Sequence, residues 1–317
     1  MVLYFITLVV AFIVTYLTTP IIQKIAIKIN AVDLPGERKI HLLPVPRLGG
    51  VGIYLGFVAA VITSLIISNY YNINLDLKAM LGIFLGGSLL LIVGIIDDIR
   101  GLRATTKLIC QIIATLIIIS FGLGISFINN PFNGLLAIGI FAIPLTLFWV
   151  VGITNAINLI DGLDGLATGV TAISAATLFF VALRTHQLGA AILLIALLGT
   201  SLAFLRFNFF PATIFLGDSG ALFLGFILAS ASIIGVLKTT LVVALIVPVL
   251  ILGVPIFDTL FAIGRRLKEG RHPFAADDRH IHHLLLRAGF NKREAVLAIY
   301  SACFILSFIA LVMALQR

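Results

Sequence analysis

Residues 134–153 read Gly134-Leu-Leu-Ala-Ile-Gly-Ile-Phe-Ala-Ile-Pro-Leu-Thr-Leu-Phe-Trp-Val-Val-Gly-Ile153, and the chain continues Thr154-Asn155-Ala-Ile-Asn158-Leu-Ile-Asp161-Gly-Leu-Asp164-Gly165. Twenty residues without a charge, at about 1.5 Å per residue, are long enough to cross a hydrocarbon core of about 30 Å. The residues that follow are the reverse: two amides and two carboxylates, one at every third position. An apolar helix that ends in such an island delivers it to a membrane surface. The pairing recurs along the chain. Asp97-Asp98 closes one apolar run, Gly217-Asp218-Ser219-Gly220 opens another, and Arg279-His280-Ile-His282-His283 precedes the last.

Composition agrees. The 317 residues are 61% hydrophobic and only 11% charged, with a mean hydropathy of +1.21; a soluble domain carries about 25% charged residues. Ten runs have spanning length, at approximately 1–23, 48–68, 79–96, 106–123, 134–153, 165–183, 188–205, 219–235, 239–263 and 294–315. The first lacks a basic leader and a small-residue cleavage site, so it reads as a retained helix. The expected fold is an all-α polytopic membrane protein of about ten transmembrane helices, a single domain over residues 1–317. The two largest connections, 24–47 and 264–293, are too short for a core of their own.

Loop charge sets the expected orientation. The alternate loops 24–47, 97–107, 154–164, 206–218 and 264–293 hold seventeen of the 21 Lys and Arg residues. By the positive-inside rule these face the cytoplasm and both termini face outward. The net charge of +8 then expresses this bias and an attraction to anionic lipid. No basic arm or aromatic platform suggests nucleic acid. Cys110 and Cys303 both fall inside apolar runs and read as packing residues. Among the outer loops the only acid is Asp76, so the chemistry is expected on the cytoplasmic face. There the even-numbered helices begin, and their N-termini favour phosphate.

Each island has a plain structural reading beside a chemical one. Asp97 and Asp98 end a helix and could simply reach water; as a pair they suit Mg²⁺, which prefers carboxylate oxygens, or a proton on a phosphate. Lys107, ten residues on, supplies a cation for an anionic substrate. Asn155, Asn158, Asp161 and Asp164 would cover half of a helix circumference, and Gly162 and Gly165 interrupt that helix and admit a ligand close to the backbone. Such a set can read a base edge, hold a ribose or coordinate a metal. Asp218 suits an N-cap or a metal ligand. His280, His282 and His283, with Arg279 beside them, suit a diphosphate or sugar; their spacing is not that of a zinc site. In 33–50, Pro35, Pro44 and Pro46 exclude a regular helix and leave Lys39, His41 and Arg47 on an irregular loop.

These five segments, in this order, resemble the polyprenyl-phosphate N-acetylhexosamine-1-phosphate transferases, the MraY/WecA/TagO superfamily, over nearly the whole chain. The resemblance implies a ten- or eleven-helix enzyme that uses Mg²⁺, with Mn²⁺ as a substitute. It would move a sugar-1-phosphate from a UDP-sugar to a polyprenyl phosphate and release UMP. It implies catalytic roles for Asp97, Asp98 and Asp161, with Asp97 deprotonating or orienting the lipid phosphate. Metal ligation falls to Asp218 with Asn158, and substrate contacts to Asn155, Asp164, Lys39, Lys107, Arg279, His280, His282 and His283. Pro46-Arg47-Leu-Gly49-Gly50 and His-Ile-His-His are similar to the WecA/TagO branch. UDP-GlcNAc is thereby favoured over UDP-MurNAc-pentapeptide or another UDP-N-acetylhexosamine. The implied partners are UDP-GlcNAc, undecaprenyl phosphate and the bilayer of a bacterial plasma membrane, with a homodimer left open. The implied step is the first membrane step of a cell-envelope glycan.

Two other classes fit less well. An ion-coupled transporter buries its carboxylates near the midplane, whereas here they stand at span ends on one side. A CDP-alcohol phosphotransferase needs further Asp residues soon after an Asp-Gly pair, but beyond Asp164 the next acid is Asp218.

Overall fold

A computed structural model describes residues 1–33, 44–125, 127–130, 134–137, 139–237, 246–270 and 279–315. Lys39 and His41 therefore lie outside the described residues. In chain order the elements are α1 (Val2–Lys28), β1 (Val32–Asp33), β2 (Val45–Pro46), α2 (Gly49–Tyr70), α3 (Leu77–Arg100), α4 (Ala104–Ser120), β3 (Phe127–Asn130), β4 (Gly134–Ala137), α5 (Ala142–Ile160), α6 (Leu166–Arg184), α7 (Leu188–Asn208), α8 (Gly217–Ser232), α9 (Ile246–Ile251), α10 (Gly253–Lys268), α11 (Ile281–Arg287) and α12 (Lys292–Leu315). The strands form two antiparallel pairs, Val32 opposite Pro46 and Phe127 opposite Ala137.

Among the described residues eight helices are long and apolar enough to span a membrane. The all-α polytopic expectation holds, with three local differences from the ten runs. The fifth span starts later than the hydropathy suggests, because Gly134–Ala137 pairs as a strand and the helical run begins at Gly139. The fourth, α4, is apolar but has 17 residues, about 26 Å at the usual rise. The ninth is not one helix where it is described: α9 ends at Ile251 and α10 begins at Gly253, two residues before Pro255. Proline in the first turn of a helix needs no backbone donor, so the break costs little there.

The core runs along α8. Its residues Ser219–Ser232 are all buried, and α2, α3 and α5 pack around it. Glycine permits this. A methyl group on Gly50 would lie 2.1 Å from the backbone nitrogen of Gly220, and one on Gly94 2.3 Å from Cα of Ser219. Small residues let helices approach closely where lipid offers no hydrophobic drive for association. By contrast, α1 and α12 are largely exposed, with Phe5, Leu17, Phe304 and Phe308 outward, as for helices facing acyl chains.

The helix order brings the polar connections together. The C-terminal ends of α3, α5 and α7 meet the N-terminal ends of α4, α6 and α8. The start of α2 joins them: Gly49 and Gly50 N–H donate to the carbonyls of Phe215 and Leu216, and Phe215 N–H donates to Pro46 O. α12 opens at the same end behind a capping box. Asn291 N–H donates to Glu294 Oε2, and Glu294 N–H to Asn291 Oδ1.

Candidate active site

At that end lies a cavity of about 700 Å³, lined among others by Arg47, Asn158, Asp161, Asp164, Asp218 and His283. An ion-pair chain reaches it through Asp218 and Asn158, while Asp97 and Lys107 do not line it. Lys107, in the first turn of α4, places Nζ 2.9 Å from Asp97 Oδ2 and 2.9 Å from Asp218 Oδ2. Asp97 Oδ1 accepts from Leu102 N–H, where the chain turns at Gly101. Asn158 Nδ2 donates to Asp218 Oδ1. Four of the residues singled out in the sequence thus form one network, drawn from α3, α4, α5 and α8.

Asp98 has a different place from its neighbour. It is buried, and its two oxygens accept from Asp218 N–H at 2.8 Å and Ser219 N–H at 3.1 Å. α8 has no side-chain cap from its own N-cap residue, Leu216; Asp98 supplies one from another helix. A helix N-terminus leaves its first N–H groups unpaired and is partly positive, so a carboxylate there is favourable twice over. Gly217, at φ +70°, makes room: a methyl group there would stand 2.5 Å from Asp98 Oδ2.

Asp161 is half-buried on the cavity wall, where α5 ends. Among the described residues its carboxylate has no hydrogen-bond or ion-pair partner. Burial pushes its pKa up to about 8, and the carboxylates of Asp98 and Asp164 add to the rise. Asp164 accepts from Ala212 N–H at 3.0 Å, tying the glycine-rich turn to the segment before α8. That turn is also held from α12, whose Tyr300 hydroxyl donates to Gly165 O at 2.6 Å.

Several residues expected at the substrate stand elsewhere. Asn155 is engaged with Gln111 of α4: its Nδ2 donates to Gln111 Oε1 at 2.7 Å, and Gln111 Nε2 donates back at 3.3 Å. Neither residue lines the cavity. On a helix, three-residue spacing rotates about −60° per step, which turns Asn155 to the α4 interface while Asn158 reaches Asp218. Arg279 donates to Glu269 at 2.6 Å and is not a lining residue.

The histidines divide three ways. His280 is buried, its Nδ1 2.8 Å from Asp258 Oδ2. His282 is buried against Gly162, where a methyl group would lie 2.3 Å from its Nε2. Burial lowers its pKa to about 4, with His283 and His280 adding and Asp258 opposing. His283 alone of the three lines the cavity.

Other lining residues complete the chemistry. Arg47 pairs with Asp33 across the β1–β2 ladder, and Lys292 opens α12 with its ammonium over the Phe210 ring, 5.2 Å from the centroid. Sequence reasoning left Asp33 and Lys292 aside, and saw Arg47 as loop charge and as part of the Pro46–Gly50 stretch without giving it a role in the site. For Arg47 and Lys292 the signal was a charged residue at the start of an apolar run. The cavity thus combines an acidic floor with cationic side chains, and the N-termini of α2, α4, α6, α8 and α12 open around it. The charge pattern suits a phosphorylated substrate together with a cation.

The residues fit Mg²⁺. The available donors are hard oxygens, and the unpartnered Asp161 carboxylate beside Asp98 and Asp164 is short of positive charge. Among the described residues no three Asp, Glu, His or Cys side chains converge as ligands to one point. Mg²⁺ commonly takes one or two carboxylates and completes its shell with water and substrate phosphate.

Comparison with known proteins points the same way. Residues 80–236 match the model of the Glycosyl transferase family 4. The chain is 43% identical over 313 residues to a probable undecaprenyl-phosphate N-acetylglucosaminyl 1-phosphate transferase of Bacillus subtilis, covering 97% of this chain and 85% of that protein. It is 36% identical over 312 residues to the decaprenyl-phosphate N-acetylglucosaminephosphotransferase of Mycobacterium leprae, covering 92% and 78%. It is 28% identical over 300 residues to the undecaprenyl-phosphate alpha-N-acetylglucosaminyl 1-phosphate transferase of Yersinia pestis, covering 92% and 79%.

Proposed function

The chain belongs to the polyprenyl-phosphate N-acetylglucosamine-1-phosphate transferase family, and from that premise we propose how its cavity works. The enzyme transfers N-acetylglucosamine-1-phosphate to a polyprenyl phosphate, with UDP-GlcNAc as donor and UMP as the other product. It is a multi-pass membrane protein. The proposed setting is the bacterial plasma membrane with the cavity on the cytoplasmic side, because the basic loops gather at that end of the bundle.

The observation that carries the mechanism is the chain Asp97–Lys107–Asp218–Asn158, whose Asp218 and Asn158 line the cavity. Asp218 and Asn158, with Asp161 beside them, are the residues that would hold Mg²⁺. When bound, the ion neutralises charge on the diphosphate and on departing UMP. Lys107 screens Asp97 from Asp218 and keeps the first carboxylate in place at the lipid phosphate. The second pKa of a phosphate monoester lies near about 6, so Asp97 has little proton to remove and acts chiefly by orientation. A lipid phosphate oxygen attacks the sugar-bearing phosphorus as the bond from that phosphorus to the uridylyl oxygen breaks, and UMP leaves with the electron pair. Arg47, His283 and Lys292 face the anionic substrate from the walls.

Direct displacement is favoured over a phosphorylated aspartate by the state of the two carboxylates. Both oxygens of Asp98 are engaged by the start of α8, and both of Asp97 by Leu102 and Lys107. Attack on a phosphorus by either carboxylate would have to weaken one of these contacts, which attack by the lipid phosphate does not.

The test is UMP release by purified protein given Mg²⁺, undecaprenyl phosphate and UDP-GlcNAc, with UDP-MurNAc-pentapeptide in parallel. Release with UDP-GlcNAc, lost in Asp218→Ala and on chelation, is expected. Release with the muramyl donor alone overturns the donor assignment, and a phosphorylated Asp97 or Asp98 trapped during turnover overturns direct displacement.

A further inference from the structure

The mechanism above makes no use of Asp258, which lies in the ninth apolar run. The break before Gly253 starts α10 there, and Asp258, buried on that helix, meets α11. Its side chain is 7% exposed and that of His280 is 6% exposed. Burying a carboxylate costs several kcal/mol unless its oxygens are paired, and here both are. Oδ2 lies 2.8 Å from His280 Nδ1, and Oδ1 accepts Ile281 N–H at 2.8 Å. One carboxylate therefore fixes the imidazole and also holds the first N–H of α11. His280, the N-cap residue of α11, makes no side-chain cap of its own.

What α11 carries gives this anchor its consequence. Two residues past His280, His282 presses on Gly162 in the turn between Asn158 and Asp164. The next residue, His283, lines the cavity. The His280 and His282 rings are parallel within 3°, and the His282 and His283 centroids are 4.2 Å apart. A shift at the start of α11 is passed to both. We infer that Asp258 is a positioning residue for the donor half of the site: through His280 and Ile281 it sets where His283 stands in the cavity wall and how His282 supports the Asp161–Asp164 turn. Neither Asp258 nor His280 lines the cavity, and both act on it only through α11. The inference rests on the cavity being the UDP-sugar site.

The experiment is steady-state UMP release by the full-length protein, with UDP-GlcNAc and undecaprenyl phosphate varied separately, for wild type, Asp258→Ala, Asp258→Asn, His283→Ala and Asp258→Ala/His283→Ala. Thermal midpoints are measured alongside. Wild-type turnover tests the underlying reading by itself; its absence overturns that reading whatever the variants do. Given turnover, Asp258→Ala is expected to lower kcat/KM for UDP-GlcNAc by up to roughly 10²-fold, the scale of a 1 Å misplacement. The KM for undecaprenyl phosphate should stay within about twofold, since the lipid phosphate is placed at Asp97. Adding His283→Ala to Asp258→Ala should cost much less than it costs wild type, because residues acting as a unit are non-additive. Asp258→Asn keeps the acceptor for Ile281 but turns an amide N–H toward His280, and should fall between wild type and Asp258→Ala. It carries the test if the alanine variant does not fold. Equal losses toward both substrates, unchanged activity in the folded variants, or an undiminished His283→Ala effect overturns the inference.

Discussion

In the substitution Asp98→Asn, a carboxylate that accepts from Asp218 N–H at 2.8 Å and Ser219 N–H at 3.1 Å becomes an amide with a single acceptor oxygen. One charge-assisted bond is lost, worth about 1.5–3 kcal/mol, and one buried N–H is left facing another donor, at about 1–3 kcal/mol. A total near 4 kcal/mol would lower the thermal midpoint by roughly 8–16 °C, using about 2–4 °C per kcal/mol for domains somewhat smaller than this one. Since α8 carries Asp218, UMP release should fall with it, by up to about 10²-fold if the start of the helix moves by 1 Å. Gly217→Ala approaches the same contact from the other side: its new methyl group would meet Asp98 Oδ2 at 2.5 Å, on a backbone at φ +70°. It should reproduce both effects. The assay pairs thermal unfolding of detergent-purified protein with UMP release at saturating substrates. An Asp98→Asn protein that unfolds with wild-type midpoint yet is inactive would refute the capping role and return Asp98 to the chemistry.

Gln111→Ala and Asn155→Ala should each loosen the α4–α5 contact and reduce turnover, while the double variant does little further harm and the KM for UDP-GlcNAc stays near wild type; a large rise in that KM for Asn155→Ala alone would make it a substrate contact after all. Gly162→Ala places a methyl group 2.3 Å from His282 Nε2, and because both groups are confined it should cost about 1–3 kcal/mol of stability and most of the activity; wild-type kinetics would show that the contact yields freely. Asp161, raised to about 8 against an ordinary carboxylate value near 3.8, binds its proton more tightly in the folded protein than in the unfolded chain. Its contribution to stability is present at low pH and lost as pH rises through about 8. A bound cation removes that penalty, so Mg²⁺ should raise the thermal midpoint more at pH 9 than at pH 6; equal stabilisation at both would count against Asp161 facing the ion.

Most of the spans were legible because a bilayer sets a minimum length for a spanning helix, and a long run of apolar residues records it. The convergence of the islands was legible too: once loop charge assigns alternate connections to one face, Asp97, Lys107, Asn158, Asp161 and Asp218 must share it, and the structure joins four of them directly and sets Asp161 beside them on the cavity wall. The break in the ninth run was harder to see. Hydropathy averages over Gly253 and Pro255, and the average hid Asp258. A carboxylate inside an apolar run is itself a signal, since it costs about 2.5–3.5 kcal/mol at a helix centre and calls for a partner; Gln111, within the fourth run, deserved the same question. Which neighbour each polar group would choose was not legible, because that depends on helix rotation. Asn155 and Asn158 are the same residue type three positions apart, and one reaches Gln111 while the other reaches Asp218.

The carboxylates at this end of the bundle therefore follow one physical rule with different outcomes. A buried acid must find hydrogen-bond donors or a cation. Asp98 takes two N–H groups of α8, Asp258 takes the first N–H of α11 and the His280 ring, and Asp164 takes Ala212 N–H. Each of these contacts spends the acid on holding backbone in place. Asp97 and Asp218 share a lysine ammonium, which other anions can draw away without unfolding a helix, although Asp97 also holds Leu102 N–H with its other oxygen. Asp161 has neither kind of partner among the described residues. Asp98 and Asp258, with both oxygens committed to buried donors, belong to the frame, and the acids held by a lysine ammonium, or by no partner, are the ones open to a phosphate or a cation. Adjacent Asp97 and Asp98 belong to opposite groups because, on a helix, consecutive side chains point about 100° apart: one faces the start of α8 and the other faces Lys107.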